Sequence, residues 1–439
     1  MRPPDKVRVS ASGQWAKPCA PSRSICTDVP CMEDASAGIS LSKCTAEAAH
    51  RDLEISAGID GPTRVLRCWP FSGRSTLNSY VASAESLMMT NVSAIVAEEI
   101  KIEQASDADA WDRFVDEQPQ STAYHRWGWK QVVESAFGWP THFLAAKANT
   151  RIVGILPLVH QKSRIFGSFI TSMPFINGGG ILATDEVVQR TLLREAIQLA
   201  QTEGATSLEL RHRSEHQLGL RTKKHKVTVV KRVQQDTERT FAELDKKLRA
   251  DVRKPMKLGL TSEHGGAELL DTFYPIFARN MRDLGTPVYG REFFAEILRA
   301  FPDTTYITVV RHRGVAVASS LLTAYRDTIE AGWSSSLREY LPLKPNMLLY
   351  WQNLCLAAEK GYTFFDFGRS SIGSGTHRFK LQWGCEEKPL YWDYWVADDR
   401  DLPELNPKNR KFQLAIHIWQ RLPLAVANRL GPSIVRCLP

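Results

Sequence analysis

The sequence has 439 residues, 43% hydrophobic and 24% charged, which is typical of a globular protein with a large core and about two domains. Its net charge of +8 and pI near 9.0 favour an anionic partner, although a modest excess of positive charge often serves solubility alone. No stretch of about 18 uninterrupted apolar residues occurs, which argues against a membrane-spanning helix.

The eight cysteines show no CxxC pair, and no histidine lies close enough to them to indicate a zinc cluster. A disulfide framework is therefore not expected, and a reducing compartment fits the pattern better. Arg2, Lys6 and Arg8 are followed by no apolar segment of a signal peptide. We predict a cytoplasmic protein without a metal cofactor. The cysteines are Cys19, Cys26, Cys31, Cys44, Cys68, Cys355, Cys385 and Cys437.

Residues 1–95 are rich in Ser, Ala, Pro and Cys and show no sustained period of 2 or 3.6. Such a segment cannot bury a core of its own, so we predict that it is disordered. An alternative is that the biological start is Met88 or Met89, and that the preceding residues are a reading-frame artefact or a dispensable extension.

From near Ile100 onwards, predicted strands and helices alternate, which is the pattern of a three-layer α/β domain. Two stretches show the same order of hairpin, loop, helix and returning strand. The first consists of a strand at 151–159, a segment at 168–174, a Gly-rich turn at 177–180, a helix at 187–203 and a strand at 204–211. The second consists of strands at 314–322 and 327–334, a loop at 337–346, a helix at 347–360 and a strand at 361–369.

The segments GATSLELR (204–211) and GYTFFDFGR (361–369) follow the corresponding helix in each stretch. In both, a glycine closes the helix, a threonine enters the strand, and an acid and then an arginine lie at its far end. The pattern predicts an internal duplication, although any helix-Gly-strand joint looks somewhat like another. The predicted domains are 96–235 and 236–405, with a basic helical insertion at 240–259 and an amphipathic helical tail at 406–439.

The insertion and the tail each allow two interpretations. Six basic residues of the insertion lie in a helical stretch that Pro255 is expected to interrupt, and they form either a solvated face or a phosphate-binding arm for a nucleotide or tRNA. The tail mixes apolar residues such as Leu414 and Ile418 with basic ones such as Arg421. It either touches the inner face of the membrane or packs against the second domain.

Three groups of polar residues are candidate binding sites. Arg282, Asp283 and Tyr289 lie at the end of a predicted helix and suit either a substrate-facing mouth or an exposed helix end. Trp333 and Ser334 end a strand whose backbone donors suit an acyl carbonyl. Just beyond this strand lie Arg338 and Asn346, the latter a candidate N-cap of the next helix.

The densest cluster follows the last predicted strand. Asp366 and Arg369 lie at its carboxyl end, where open α/β sheets bind ligands. Lys380 and Trp383 follow in a segment that must fold back over this end. Arg369 and Lys380 suit an anionic phosphate or carboxylate, and Trp383 offers a stacking face. The alternative is an internal ion pair between Asp366 and Arg369 beside a core tryptophan.

Other catalytic classes lack their signatures. The sequence has no G-x-S-x-G elbow and no Walker loop, and its histidines show no ligand spacing, which argues against a triad hydrolase, a P-loop ATPase and a zinc enzyme. The histidines considered are His125, His142, His212, His264, His312 and His377.

At these residues the chain resembles FemAB-type transferases, and more closely the FemAB-related proteins associated with exosortase/PEP-CTERM exopolysaccharide systems. The matching runs, spread from about residue 100 to the C-terminus, are SMPFINGGGIL, LELR, FARNMRDLGTPVY, WSSSLREY, PNMLLYW, FDFGRSS and FKLQWG. The resemblance implies two GNAT-like domains. It also implies transfer of an acyl or aminoacyl group to an amine of a cell-envelope or exopolysaccharide precursor, small or linked to a lipid or nucleotide.

The donor implied by the resemblance is acyl-CoA or aminoacyl-tRNA, and two departures bear on it. The insertion at 240–259 is not the long coiled-coil arm of some FemAB members, so use of tRNA does not follow. The loop LREYLPLKPN also lacks the Arg/Gln-x-x-Gly-x-Gly/Ala pyrophosphate motif of ordinary GNAT enzymes, which weakens the case for coenzyme A.

Within this family hypothesis the residues receive roles. Asp366 orients the amine or accepts its proton, while Arg369 and Lys380 hold an anionic part of the substrate. Arg282 and Tyr289 line the acceptor cleft, and Arg338 steadies the donor. Catalysis would consist mainly of positioning and oxyanion stabilisation. The rival hypotheses are a non-catalytic scaffold or binding protein of an exopolysaccharide assembly system and, on the basic insertion alone, a nucleic-acid-binding protein.

Overall fold

The computed structural model describes residues 99–163, 167–399 and 410–437. The predicted disordered extension, residues 1–95, lies outside the described residues, as do residues 406–409 of the predicted tail. The described strands are Ile100–Gln104 (β1), Thr141–Ala148 (β2), Arg151–Ser163 (β3), Gly167–Thr171 (β4), Leu182–Ala183 (β5), Ser207–His212 (β6), Arg221–Arg232 (β7), Leu260–Gly265 (β8), Thr305–His312 (β9), Val315–Tyr325 (β10), Thr328–Ser336 (β11), Phe364–Asp366 (β12), Ser370–Ser371 (β13) and Glu386–Val396 (β14).

The α-helices of the described residues lie on both faces of these strands. They are Ala108–Glu117 (α1), Gly128–Phe137 (α2), Glu186–Thr202 (α3), Thr237–Glu243 (α4), Lys246–Lys257 (α5), Leu270–Leu284 (α6), Arg291–Ala300 (α7), Pro345–Glu359 (α8), Gly375–Leu381 (α9), Arg410–Arg421 (α10) and Leu424–Val435 (α11).

Local sequence signals set several helix ends. Asp185 caps α3 because its carboxylate accepts a hydrogen bond from the Val188 N–H at 2.9 Å. Pro345 is the first residue of α8, where its missing N–H costs nothing. Gly285 ends α6 at a φ of +79°, a left-handed conformation that glycine adopts without a steric penalty.

The described strands form one mixed sheet in the order β1-β2-β3-β4-β6-β14-β7-β12-β11-β10-β9-β8, with β5 beside β3 and β13 beside β7. The order is symmetric about the β14–β7 pair. On each side, an antiparallel series of strands leads to one parallel pair, β4–β6 in the first half and β11–β12 in the second. The tandem GNAT-like fold is thereby confirmed.

The two central strands are exchanged between the halves. Strand β7 comes from the first half of the sequence but pairs with β12 and β14 of the second. Strand β14 comes from the second half and pairs with β6 of the first. The predicted boundary after residue 235 therefore assigns β7 to a half whose other strands do not pair with it.

The register of the parallel strand pairs shows the predicted duplication. The parallel pair in the first half ends with Thr171 opposite Glu209, and the pair in the second half ends with Glu330 opposite Asp366. Glu209 and Asp366 thus occupy equivalent positions. The arginine follows Glu209 after one residue and Asp366 after two, because Gly368 is an additional residue in the second half.

The core is continuous across the halves on one face of the sheet. Helices α1 and α2 of the first half and α6 and α7 of the second contribute aromatic side chains to one buried cluster. Trp111 and Trp129 belong to this cluster together with Phe273, Phe294 and Trp333. On the other face, α3 and α8 each cover their own half. The shared aromatic core fixes the two halves relative to each other.

The basic insertion forms helices α4 and α5. The expected interruption at Pro255 is wrong, since α5 continues to Lys257 with Pro255 buried in its last turn. Leu248 and Val252 are buried on the same side, whereas the lysines of α5 are exposed. The helix therefore has the solvated basic face of the ordinary interpretation, and phosphate binding by this face stays a prediction.

The described part of the tail packs against the second half. The Arg282 Nη1 atom of α6 donates to the Leu422 carbonyl oxygen at 2.9 Å, and Trp419 is buried. Leu414 and Ile418 of α10 point outward and are more than half exposed. No helix among the described residues combines the length and the hydropathy needed to cross a bilayer. Membrane contact by the tail stays a prediction.

Candidate active site

A cavity of about 230 Å³ opens where β11 and β12 diverge. The two strands pair over three residues, and then the Phe367 N–H turns away to donate to the Val229 carbonyl oxygen of β7 at 2.8 Å. The predicted strand at 361–369 is consequently short, and the edge of β11 beyond Glu330 has no partner there. The lining residues are Tyr124, Phe175, Ile176, Asn177, Ala331, Gly332, Trp333, Ser334, Tyr350, Phe367, Gly368, Arg369, Thr376 and Lys380.

The equivalent gap in the first half is filled by the chain itself. The Arg211 N–H donates to Ser172 Oγ at 2.8 Å, and the Arg211 guanidinium donates to the Ile176 carbonyl oxygen at 3.0 Å. Ile176 and Tyr124 of the first half instead line the cavity of the second. The open cleft therefore belongs to the second half, and its opposite wall comes from the first.

Gly368 makes the turn at the base of the cavity possible. Its φ is +75°, and a Cβ atom added to it would lie 2.8 Å from the Ala331 carbonyl oxygen of β11. The chain can leave β11 this sharply because glycine tolerates both the positive φ and the close approach.

We expect Gly368→Ala to destabilise the protein by about 1 to 3 kcal/mol more than Gly361→Ala does. Gly361 has a similar φ of +79°, but nothing lies within 4 Å of an added Cβ, so this control carries the cost of the positive φ alone. Urea unfolding of both variants measures the difference. Equal losses of unfolding free energy would show that the close approach to β11 has no energetic effect.

Arg369 faces the cavity without an anionic partner. It forms no ion pair with any residue in the described ranges, and its guanidinium lies 5.1 Å from the centre of the Trp392 ring. Burial lowers the pKa of Arg369, and the nearby Arg211 lowers it further. The predicted internal ion pair with Asp366 is absent from the described structure. A half-buried guanidinium without a counter-ion is suited to a phosphate or carboxylate.

Lys380 is buried on α9 and also lines the cavity. Its Nζ atom donates to the carbonyl oxygens of Gly368 at 2.7 Å and Arg369 at 3.0 Å. Burial lowers the pKa of Lys380 to about 8, against the raising effect of Asp366 and Glu330. An ammonium group has three N–H bonds, so one remains for a group in the cavity. Lys380 and Arg369 thus line the same cavity.

Asp366 lies beneath the cavity and does not line it. Its carboxylate is fully buried and accepts hydrogen bonds from the Gly368 N–H at 2.8 Å, from Thr228 Oγ1 and from Arg213 Nη1 at 3.1 Å. These three donors occupy the carboxylate, so the structure places Asp366 as a support for the turn at Gly368. It does not bring this carboxylate to the cavity as the predicted role requires.

A second buried carboxylate, Glu330, was not among the predicted residues. It accepts from Asn177 Nδ2 at 2.7 Å and from Arg213 Nη2 at 2.6 Å, and it is hydrogen-bonded to the Tyr124 hydroxyl. Burial raises the pKa of Glu330, the adjacent Asp366 raises it further, and Arg213 opposes both. Because Tyr124 and Asn177 line the cavity, they connect Glu330 to it.

The remaining predicted residues divide between the cavity wall and other places. Trp333 and Ser334 line the cavity as expected. Tyr289 lies behind the wall, with its ring 4.8 Å from that of Phe175, and burial raises its pKa. Trp383 is fully buried against Phe367, so the core covers its predicted stacking face.

Besides Asp366, Tyr289 and Trp383, four more predicted residues lie outside the cavity lining. Arg282 is paired with Asp283 at 2.7 Å and holds the tail, and Arg338 donates to the Asp283 carbonyl oxygen at 2.5 Å. These contacts anchor the end of α6. The prediction that Asn346 is an N-cap is wrong, since Lys344 occupies that position and Asn346 lies inside the first turn of α8. Pro345 fixes the helical φ one residue earlier than expected.

Comparison with known proteins agrees with this fold. Residues 242–381 match the acetyltransferase (GNAT) domain family. The structure is similar to that of FemX, with a TM-score of 0.53 and 14% identity over 66% of this chain and 96% of FemX. No curated protein matches the sequence.

Two further solved structures have TM-scores of 0.46. The C-terminal domain of a putative lysylphosphatidylglycerol synthetase from Agrobacterium fabrum is 12% identical over 68% of this chain and 93% of that one. A tandem GNAT protein from the clavulanic acid biosynthesis pathway is 14% identical over 69% of this chain and 100% of that one. The match over residues 242–381 and the likeness to FemX agree with the tandem GNAT-like fold described above.

Proposed function

We propose that the protein transfers an acyl or aminoacyl group from a carrier to an amine of a cell-envelope or exopolysaccharide precursor. The observation that carries this proposal is that Lys380 and Arg369 line one cavity at the open edge of β11, and that Arg369 has no ion-pair partner among the described residues. In this fold such a cavity lies beside the exposed backbone of a divergent strand, which suits the carbonyl of a bound acyl group.

The reaction needs little covalent help from the protein. The acceptor amine attacks the acyl carbon, a C–N bond forms, and the bond from the acyl carbon to the sulfur or oxygen of the carrier breaks. The amine loses a proton, and the carrier leaves as a thiol or hydroxyl. We assign the third N–H of Lys380 to the oxygen that becomes negative during attack, because a preorganised donor there stabilises the transition state.

The Tyr124–Glu330 pair is our candidate for the proton acceptor. Tyr124 borders the cavity and is hydrogen-bonded to Glu330, whose pKa is raised by burial. A proton from the amine would pass to the tyrosine oxygen as the tyrosine proton passes to Glu330. This assignment replaces the proposed role of Asp366, because Asp366 does not line the cavity, whereas Tyr124 lines it and is hydrogen-bonded to Glu330.

The unpaired Arg369 favours the enzyme over the scaffold hypothesis. Keeping a guanidinium half-buried without a counter-ion and burying a lysine both cost folding free energy. A purely structural scaffold gains nothing from this cost, whereas an enzyme or a binding protein recovers it when an anionic ligand group arrives. A phosphate of the carrier or of a nucleotide- or lipid-linked acceptor has the required charge.

Calorimetric titration of the full chain with acetyl-CoA, longer acyl-CoA and charged tRNA tests the proposal. We expect micromolar binding of one carrier, and transfer of its acyl or aminoacyl group to an added primary amine. Binding of charged tRNA alone would indicate aminoacyl transfer. Folded protein that binds none of these carriers and releases no free carrier in the presence of amines would contradict the proposed function.

A further inference from the structure

A second group of polar side chains lies in the first half, away from the residues that line the cavity. His142 of β2, His160 of β3 and Glu203, the residue after α3, point toward one another. We propose that these three side chains bind one transition-metal ion of the zinc class. Each contributes one ligand atom, and the three atoms lie within 4.8 Å of one another.

The spacing is close to that of a metal site. His160 Nδ1 and Glu203 Oε2 are 3.3 Å apart. Ligand atoms bound at about 2.1 Å to a tetrahedral zinc ion are separated by about 3.4 Å, so this pair already has the required distance. The third ligand, on His142, has to move inward by about an ångström, within the reach of a side-chain rotation.

The hydrogen bonds of the two imidazoles leave suitable nitrogens free. His160 Nε2 lies 2.8 Å from Ser168 Oγ and can donate to it, which leaves the lone pair on Nδ1. His142 Nδ1 lies 3.5 Å from the side-chain amide of Gln104, whose oxygen accepts from Nδ1 once the amide is turned over. Such outer contacts fix the tautomer of metal-binding histidines.

Two nitrogens of these imidazoles are buried and make no hydrogen bond in the described structure, although one of them lies 3.3 Å from Glu203 Oε2. These atoms are His142 Nε2 and His160 Nδ1, and the His160 side chain is only 1% exposed. Buried polar atoms without partners are uncommon because they lose their hydrogen bonds to water. A bound ion would satisfy both nitrogens and the Glu203 carboxylate at once.

The local charges are compatible with an ion of this class. Lys162 is paired with Glu203 at 3.3 Å, but its side chain is 61% exposed and can turn to solvent. Two imidazoles with one carboxylate suit zinc or a neighbouring transition metal better than magnesium or calcium.

Such an ion would connect three elements of the first half. It would join the adjacent strands β2 and β3 to the end of α3, and three protein ligands would leave a fourth position for water. Since the site is absent from the unfolded chain, ion binding would stabilise the folded protein.

The test uses the full chain without a histidine tag, stripped with a chelator and titrated with Zn²⁺ and Co²⁺. We expect one ion per chain, a higher Tm with zinc, and a visible cobalt spectrum without a thiolate charge-transfer band. His142→Gln and Glu203→Gln should each weaken zinc binding at least about tenfold. His264→Gln, which replaces another partly buried histidine, is the matched control and should bind normally.

Three results would overturn the proposal. The first is no stoichiometric zinc binding and an unchanged Tm. The second is binding that persists in both His142→Gln and Glu203→Gln, and the third is a thiolate charge-transfer band, which would identify cysteine ligands elsewhere in the chain. Circular dichroism of each variant without metal shows whether a loss of binding reflects a loss of folding.

Discussion

Replacing Lys380 with methionine is expected to lower kcat at least about 100-fold, the usual effect of removing one donor to a developing oxyanion. Methionine fills a similar volume but cannot donate to the substrate or to the Gly368 and Arg369 carbonyl oxygens. The assay uses the carrier identified by titration and a primary amine. Lys360→Met, which changes a lysine outside the cavity lining, should retain full activity and is the control.

The pH dependence of kcat distinguishes whether Lys380 acts as a hydrogen-bond donor or as a base. Because the pKa of Lys380 is lowered to about 8, its ammonium form is present below that value and is lost as the pH rises through it. A donor role predicts that kcat falls as the pH rises through about 8, and that Lys380→Met removes this limb. A kcat that instead increases through about 8 in the wild type would identify Lys380 as a base and contradict the donor role.

The equivalent arginines of the two halves should respond oppositely to the same change. Arg211 is bound to Glu209 at 2.6 Å and to the Ile176 carbonyl oxygen, so Arg211→Met removes the ion pair of a partly buried carboxylate and a donor to this carbonyl oxygen. We expect this variant to lose about 3 to 5 kcal/mol of unfolding free energy. Arg369 has no ion-pair partner in the described structure, so Arg369→Met should leave the unfolding free energy unchanged or raise it.

Ligand binding should be weakened more by Arg369→Met than by Arg211→Met, the opposite of the order expected for the loss of unfolding free energy. Arg369→Met is expected to weaken carrier or acceptor binding at least about tenfold, since a charge-assisted hydrogen bond to the ligand is lost. Urea unfolding and calorimetric titration of the same samples give both quantities. If Arg369→Met destabilised the protein as much as Arg211→Met and left binding intact, Arg369 would be a structural residue and not part of an anion site.

The parts of the fold that depend on local pattern could be predicted from the sequence. The alternation of elements and the two segments GATSLELR and GYTFFDFGR predicted the tandem arrangement, which the strand order confirms. Arg369 and Lys380 could be placed at one site because they follow the carboxyl end of the same strand. The strand exchange could not be predicted, since the apolar pattern of β7 does not specify which neighbour it pairs with.

The residues missed in the site depend on contacts between distant parts of the chain. Asn177 and Glu330 are separated by 153 positions, and neither has a neighbour whose type indicates the other. Asn177 lies in the Gly-rich turn predicted at 177–180, but no neighbouring residue in the sequence indicates that its side chain reaches β11. The stacking role of Trp383 was predicted because its segment must fold back over the end of the strand, whereas the core formed with Phe367 buries its ring.

The exchange of β7 and β14 affects the order in which the protein can fold during synthesis. The sheet of the first half lacks the strand beside β6 until the ribosome has passed residue 396, long after the other strands of that half have emerged. An N-terminal domain usually folds before the next one is made, but here that completion waits for nearly the whole chain. The late, long-range pairing also implies a high contact order and slow folding. The two halves are therefore expected to complete their folding together.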